Sequence, residues 1–187
     1  MPEVLIVPTG TANIASVSAA FRRLGAGVRV AERGREIQHA SHVMLPGVGA
    51  FGAAMARLRG NGFVERLADR IRADQPTICI CVGHQLLFEA SEESPGERGL
   101  GEVRGTIARI TGDVRVPQFG WNHVNGFAYF ANSYRATEAP GWQVATAEHG
   151  GRFVAAVERG NVIGCQFHPE LSGAYGAALL SRFLELT

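Results

Sequence analysis

The chain has 187 residues, 46% of them hydrophobic, a formal net charge of +1 and no dense Lys/Arg cluster. That allows one sizeable core and leaves no electrostatic footprint for nucleic acid or an acidic membrane surface. Three cysteines, Cys79, Cys81 and Cys165, are too few and too unevenly spaced for a disulfide scaffold or a four-ligand zinc site, so no metal and no cofactor is expected.

The opening MPEVLIV has no basic n-region and only a short apolar run, which predicts neither a signal peptide nor a membrane span. A soluble, cytoplasmic chain forming a single domain over residues 1–187 is the expectation. Val4 to Val7 reads as a strand, and Ile14, Val17, Phe21 and Leu24 fall on one face of a helix that Gly25 can close. Val28 to Val30 and Val43 to Leu45 are the next strands. Met55, Leu58, Phe63, Leu67 and Ile71 follow at helical spacings, Ile78 to Val82 is strand again, and Leu86 to Ala90 reads as helix. This alternation predicts an α/β fold with a central, mostly parallel sheet flanked by helices. From about Thr106 to Phe167 the runs TIARI, YFANSY, WQVATA, FVAAVE and NVIGCQF predict antiparallel additions to the same sheet, and a last helix carries Leu179, Leu180, Phe183 and Leu184. No linker, repeat or low-complexity stretch interrupts the pattern.

Sites in such sheets form at the carboxyl ends of strands. Three segments there carry unusual residues. LPGVGAFG holds a formal G-x-G-x-x-G at Gly47, Gly49 and Gly52, but it follows the third strand rather than the first, and the acidic residue at the expected distance, Asp69, lies in a helical pattern. A tight glycine turn, or backbone N–H groups offered to an oxyanion, suits this context better than a dinucleotide. CICVGHQLL places Cys81 on a strand-to-helix turn with Gly83 two residues on, where a side chain is lifted above the sheet and a helix N-terminus favours a thiolate. Cys79 and Cys165 read as core thiols. CQFHPEL puts His168 at the end of an apolar strand with Glu170 two residues away. Nucleophile, base, orienting carboxylate and a glycine loop together make an acyl-transfer site.

CVGHQ together with HPE resembles the class I (triad) glutamine amidotransferases. Four further stretches, TGTANIASV, LPGVGAFGAAM, FGWNHV and YFANSY, resemble the glutaminase subunits of imidazole glycerol phosphate synthase within that family; they run in family order, and with QFHPELSG the likeness spans nearly the whole chain. The resemblance implies hydrolysis of L-glutamine to glutamate and ammonia, delivered to a (β/α)8 cyclase partner in a heterodimer serving histidine biosynthesis. It implies Cys81 as nucleophile, His168 as base and Glu170 as its orienter. Backbone N–H groups of Val82 and of the Val48/Gly49 turn would be the oxyanion donors. Gly49, Gln85, Glu93, Ser133 and Tyr134 would surround the glutamine, and Asn13 and Trp121 would face the cyclase.

Departures from the family pattern are Pro8 in place of an acidic residue, Asn132 in place of a histidine, Leu171 in place of a basic residue after HPE, and a short segment between Trp121 and Tyr129. Two other readings are compatible with the residues: an amidotransferase serving a different or paralogous synthase, and a non-enzymatic binding module of the same fold.

Overall fold

The computed structural model describes residues 2–10 and 13–187. Thr11 and Ala12, within the TGTANIASV stretch, lie outside the described residues. In chain order the elements are β1 (Glu3–Ile6), α1 (Ile14–Arg23), β2 (Gly27–Val30), α2 (Gly34–His39), β3 (His42–Leu45), α3 (Phe51–Gly60), α4 (Val64–Arg72), β4 (Thr77–Ile80) and α5 (Val82–Gln85). They continue with β5 (Phe88–Ser91), β6 (Val103–Arg109), β7 (Gln118–His123), β8 (Phe127–Asn132), β9 (Tyr134–Arg135), β10 (Gln143–Glu148), β11 (Arg152–Arg159), β12 (Val162–Cys165), a 3-10 turn (Pro169–Leu171) and α6 (Gly173–Leu184).

Seven strands form the main sheet in the order β10-β11-β12-β4-β3-β1-β2. β12, β4, β3, β1 and β2 are parallel, while β11 runs antiparallel to both of its neighbours. Every residue of β3, β4 and β12 is buried, as expected for strands covered by helices on both faces. α1 shows how local sequence supplies that cover. Asn13 caps it by accepting from the Ser16 N–H at 3.2 Å, Val17, Ala20 and Phe21 fall on its buried side, and Arg22 and Arg23 occupy its last turn. Phe21 meets Phe183 of α6 at a centroid distance of 6.0 Å.

Three expectations need correction. The helical pattern from Met55 to Ile71 is two helices, because the chain turns at Asn61 and Gly62, the latter at φ +66°. The stretch from Leu86 to Ala90 is not a helix: α5 has ended by Gln85 and β5 begins at Phe88, a short apolar run whose spacing does not separate helix from strand. The antiparallel additions do not all join one sheet either. β10 and β11 extend the main sheet, whereas β5, β6 and β9 form a three-stranded sheet and β7 pairs with β8 alone.

Arg70 on α4 is almost fully buried, and among the described residues no carboxylate pairs with it. Its Nη1 donates to the carbonyls of Ile37 and Ala40 at 2.8 and 2.7 Å, and its Nη2 to those of Ser41 and Pro76 at 3.0 and 2.9 Å. Its Nε donates to Thr77 Oγ1 at 3.1 Å. One guanidinium thus satisfies the loops that lead into β3 and β4, the two strands whose far ends carry the glycine turn and Cys81.

Candidate active site

β3, β4 and β12 are neighbours, so the three chemistry-bearing segments emerge side by side at one edge of the sheet. At the end of β4 the backbone turns so sharply that Cys81 takes φ +54°, ψ −110°, a conformation that costs a residue with a side chain on the order of 1–3 kcal/mol. The surroundings impose it. The Cys81 N–H donates to the Cys165 carbonyl at 2.8 Å, and α5 starts at the next residue. A Cβ on Gly83 would overlap the Leu45 carbonyl oxygen, and one on Gly47 would stand 2.7 Å from Val82 Cβ. Glycine at both places therefore lets the β3 turn and the Cys81 turn touch.

His168 is fixed from its backbone outward. Its N–H donates to the Tyr129 carbonyl at 2.8 Å, and Ser172 Oγ donates to the His168 carbonyl at 2.6 Å while accepting from the Tyr129 N–H at 2.9 Å. The ring Nδ1 lies 2.9 Å from Glu170 Oε1. A carboxylate only accepts, so Nδ1 carries hydrogen and the other ring nitrogen is left for the Cys81 sulfur. Burial on its own would lower the His168 pKa, but the hydrogen bonds to Cys81 and Glu170 outweigh it and raise it to about 10. His84, three residues after the cysteine, is the opposite case: fully buried against Phe88, it is pushed down to about 3 and stays a neutral core residue.

Val48, Gly49, Gln85, Glu93, Ser133 and Tyr134 line one pocket of about 380 Å³ together with Cys81, Val82 and His168, a size in the range of small-molecule sites. Two of these residues do more than face a ligand. Glu93 Oε2 accepts from the Phe51 N–H at 2.8 Å and Ser94 Oγ accepts from that of Gly52 at 3.0 Å, which caps α3 from a segment 42 residues away where Ala50 offers no capping side chain. Gln85 donates its Nε2 to the Tyr134 carbonyl at 3.2 Å and to Gln166 Oε1 at 2.9 Å. Gln166 escaped the sequence reading, although it stands two residues before His168 at the end of the same strand.

The oxyanion expectation is modified. The Val82 N–H donates to the Gly47 carbonyl at 3.3 Å, so in this conformation the peptide joining Gly47 and Val48 turns its oxygen toward the place where an oxyanion would need donors. A second cavity of about 250 Å³ adjoins the first at His168, Val48 and Ala131 and is lined by Asn13, Pro46, Gly47, Phe119 and Glu170 among others. Asn13 is exposed and caps α1 as well as lining this cavity. Trp121 is 58% exposed on β7, stacked edge-on to Tyr129, and Phe119 and Leu171 are exposed on the same side of the molecule as the cavity they border or adjoin. The buried tryptophan of this chain is Trp142.

The family model for glutamine amidotransferase class-I matches residues 5–186. The chain belongs to the class I glutamine amidotransferases. Among curated relatives of this amidotransferase, the imidazole glycerol phosphate synthase subunit HisH of Exiguobacterium sibiricum is 40% identical, covering 98% of this chain and 95% of that protein. The subunit HisH of Xylella fastidiosa is 41% identical, covering 100% and 98%. The chloroplastic imidazole glycerol phosphate synthase hisHF of Arabidopsis thaliana is 37% identical over 97% of this amidotransferase but only 34% of its own length. A crystal structure of a glutamine amidotransferase superposes with a TM-score of 0.79 at 20% identity over 97% of each chain, a likeness of fold.

Proposed function

We propose that residues 1–187 act as one glutaminase domain that hydrolyses L-glutamine to glutamate and ammonia and passes the ammonia to a (β/α)8 cyclase, as the glutaminase subunit of imidazole glycerol phosphate synthase. The observation that carries this reading is the Cys81, His168 and Glu170 arrangement, with Cys81 and His168 in the wall of one pocket and His168 and Glu170 in that of a second cavity adjoining it. The Cys81 sulfur attacks the carboxamide carbon of glutamine, and His168, holding the thiol's proton, gives it to the departing nitrogen so that ammonia leaves. A water then attacks the glutamyl thioester, with His168 taking its proton; the carbon–sulfur bond breaks, glutamate leaves and the thiol is restored. Glu170 keeps the imidazole oriented throughout. The chemistry requires a free thiol, which suits a reducing compartment such as the cytoplasm.

Ammonia released at His168 has the second cavity as its way out, and the rim of that cavity carries Asn13, Phe119 and, beyond it, Trp121. A cyclase seated there would touch the Gly47 and Val48 peptide that now occupies the Val82 N–H. Docking that turns this peptide frees the oxyanion donors, so glutamine hydrolysis is expected to be slow in the free chain and faster in the complex. Removal of one oxyanion donor costs about 10²–10³ in kcat in other enzymes, which sets the scale.

The test is glutamate release with and without the purified cyclase. Trp121→Ala is expected to weaken the complex or to lower the share of ammonia reaching the cyclase, with a melting temperature close to wild type, since the indole is exposed. A large loss of melting temperature with unchanged coupling would place Trp121 in the core of the hairpin instead. Co-purification of a different synthase, with no stimulation by the cyclase, would reassign the partner.

A further inference from the structure

Gln166 is completely buried, its backbone N–H bonded to the Ala155 carbonyl at 2.8 Å, and its side-chain Nε2 lies 3.7 Å from Cys81 Sγ, within reach of an N–H to sulfur hydrogen bond. The direction of its carboxamide follows from its neighbours. A backbone carbonyl can only accept, so the Gln85 atom that faces the Tyr134 carbonyl at 3.2 Å must be its amide nitrogen. That NH₂ has a second hydrogen, which goes to Gln166 at 2.9 Å. Gln166 therefore turns its oxygen toward Gln85 and its nitrogen toward the sulfur. One carbonyl on the pocket wall fixes, through two amides, a hydrogen-bond donor aimed at the reacting atom.

We propose that Gln166 is a further catalytic residue, whose amide N–H stabilises the anionic Cys81 sulfur beside His168, and that Gln85, which reaches the sulfur only through Gln166, is a positioning residue. The inference rests on the glutaminase reading and deepens it. His168 must carry its proton to the departing ammonia and later collect one from water, so it is not a constant partner of the sulfur. Gln166 has no proton to transfer and stays. It holds the thiolate when sulfur attacks the carboxamide carbon and again when the carbon–sulfur bond breaks and the electron pair returns to sulfur. Titratable groups around the sulfur are His168, with Glu170 behind it, and the buried thiols of Cys165 and Cys79, while Glu93 and Tyr134 line the same pocket.

The experiment is the rate of Cys81 alkylation by iodoacetamide on the full chain without glutamine or cyclase, followed by peptide mapping at pH 6 and near pH 10. Gln166→Glu keeps the shape and the bond from Gln85 but replaces the donor by an acceptor; Gln166→Met removes the donor without adding charge. Both are expected to slow alkylation at pH 6, by about tenfold or more for Gln166→Glu and several-fold for Gln166→Met, with the deficit narrowing toward pH 10 as hydroxide takes over the deprotonation that the donor favours. Glutamate release should lose a similar factor in kcat with KM little changed. Gln85→Leu should slow alkylation at pH 6 as well, and add nothing further in combination with Gln166→Met. Wild-type alkylation at pH 6 in either folded Gln166 variant overturns the proposal, as does a deficit of the same size at both pH values, which would mean a blocked site. Alkylation needs no substrate, so slowed alkylation in a chain whose wild type releases no glutamate with the cyclase present would sink the glutaminase reading while leaving Gln166 as the donor to the sulfur.

Discussion

A diazoketone analogue of glutamine is expected to appear on Cys81 alone, with Cys79 and Cys165 unmodified, when the treated protein is digested and mapped. The three thiols are close in space but differ in surroundings. Cys79 and Cys165 have no exposed surface, and burial pushes both pKa values up, so they remain protonated and inert. Cys81 stands on the turn, in the pocket wall, with His168 hydrogen-bonded to its sulfur. Cys81→Ala and His168→Ala should each lose at least about 10⁴-fold in kcat for glutamate release in the complex, because nucleophile and base act as a unit. Glu170→Gln should lose less, since it alters the tautomer and orientation of the imidazole but leaves it in place. Cys79→Ala should retain most activity. Label on Cys79 or Cys165 with Cys81 untouched, or full activity in His168→Ala, would overturn the assignment.

The largest effect on stability is expected at Arg70, far from the chemistry. Arg70→Met keeps an apolar stem of similar length but leaves the carbonyls of Ile37, Ala40 and Ser41 without the guanidinium donor, while that of Pro76 keeps the Val43 N–H at 3.0 Å. Each buried acceptor left unpaired costs about 1–3 kcal/mol, partly recovered where water can enter, so a total of about 3–5 kcal/mol is expected. In a chain of this size that is a fall of about 10 °C in melting temperature. Burial lowers the Arg70 pKa to about 10, which leaves it protonated at neutral pH. Arg70→Lys, with a compact ammonium and no fork, should recover only part of the loss. Thermal melts of the three proteins decide it: equal melting temperatures would mean that the carbonyls find other partners.

The main sheet and the grouping of Cys81, His168 and Glu170 were legible because their signals are local. A buried parallel strand is a short apolar run, and Cys81, Gly83, His168 and Glu170 lie within two short motifs whose spacing already states the geometry. What was not legible depends on partners distant in sequence. Leu86 to Ala90 turned out to enter a strand because β6 pairs with it, and β7 with β8 forms a separate ribbon rather than an extension of the sheet. Glu93 and Ser94 cap a helix that begins some forty residues earlier, which no local cap signal announces. Gln166 could be placed beside His168 by strand alternation, but its hydrogen-bond direction depends on Gln85 and on the Tyr134 carbonyl. Likewise the occupied Val82 N–H follows from the turn of one peptide plane, which the glycines of LPGVGAFG permit and do not specify.

The neighbouring positions of β4 and β12 also bear on how the chain acquires its activity during synthesis. Cys81 and the glycine turn lie in the first half of the sequence, and β2, β1, β3 and β4 can pair among themselves as soon as they have emerged. His168, Glu170 and Gln166 arrive only with β12, later in the chain than β5 to β11. Until that strand slots in beside β4, the thiol has neither imidazole nor amide donor and no Cys165 carbonyl to hold its turn. On the proposed mechanism a growing chain therefore carries an unactivated cysteine, and reactivity waits for the long-range pairing that sets β12 beside β4.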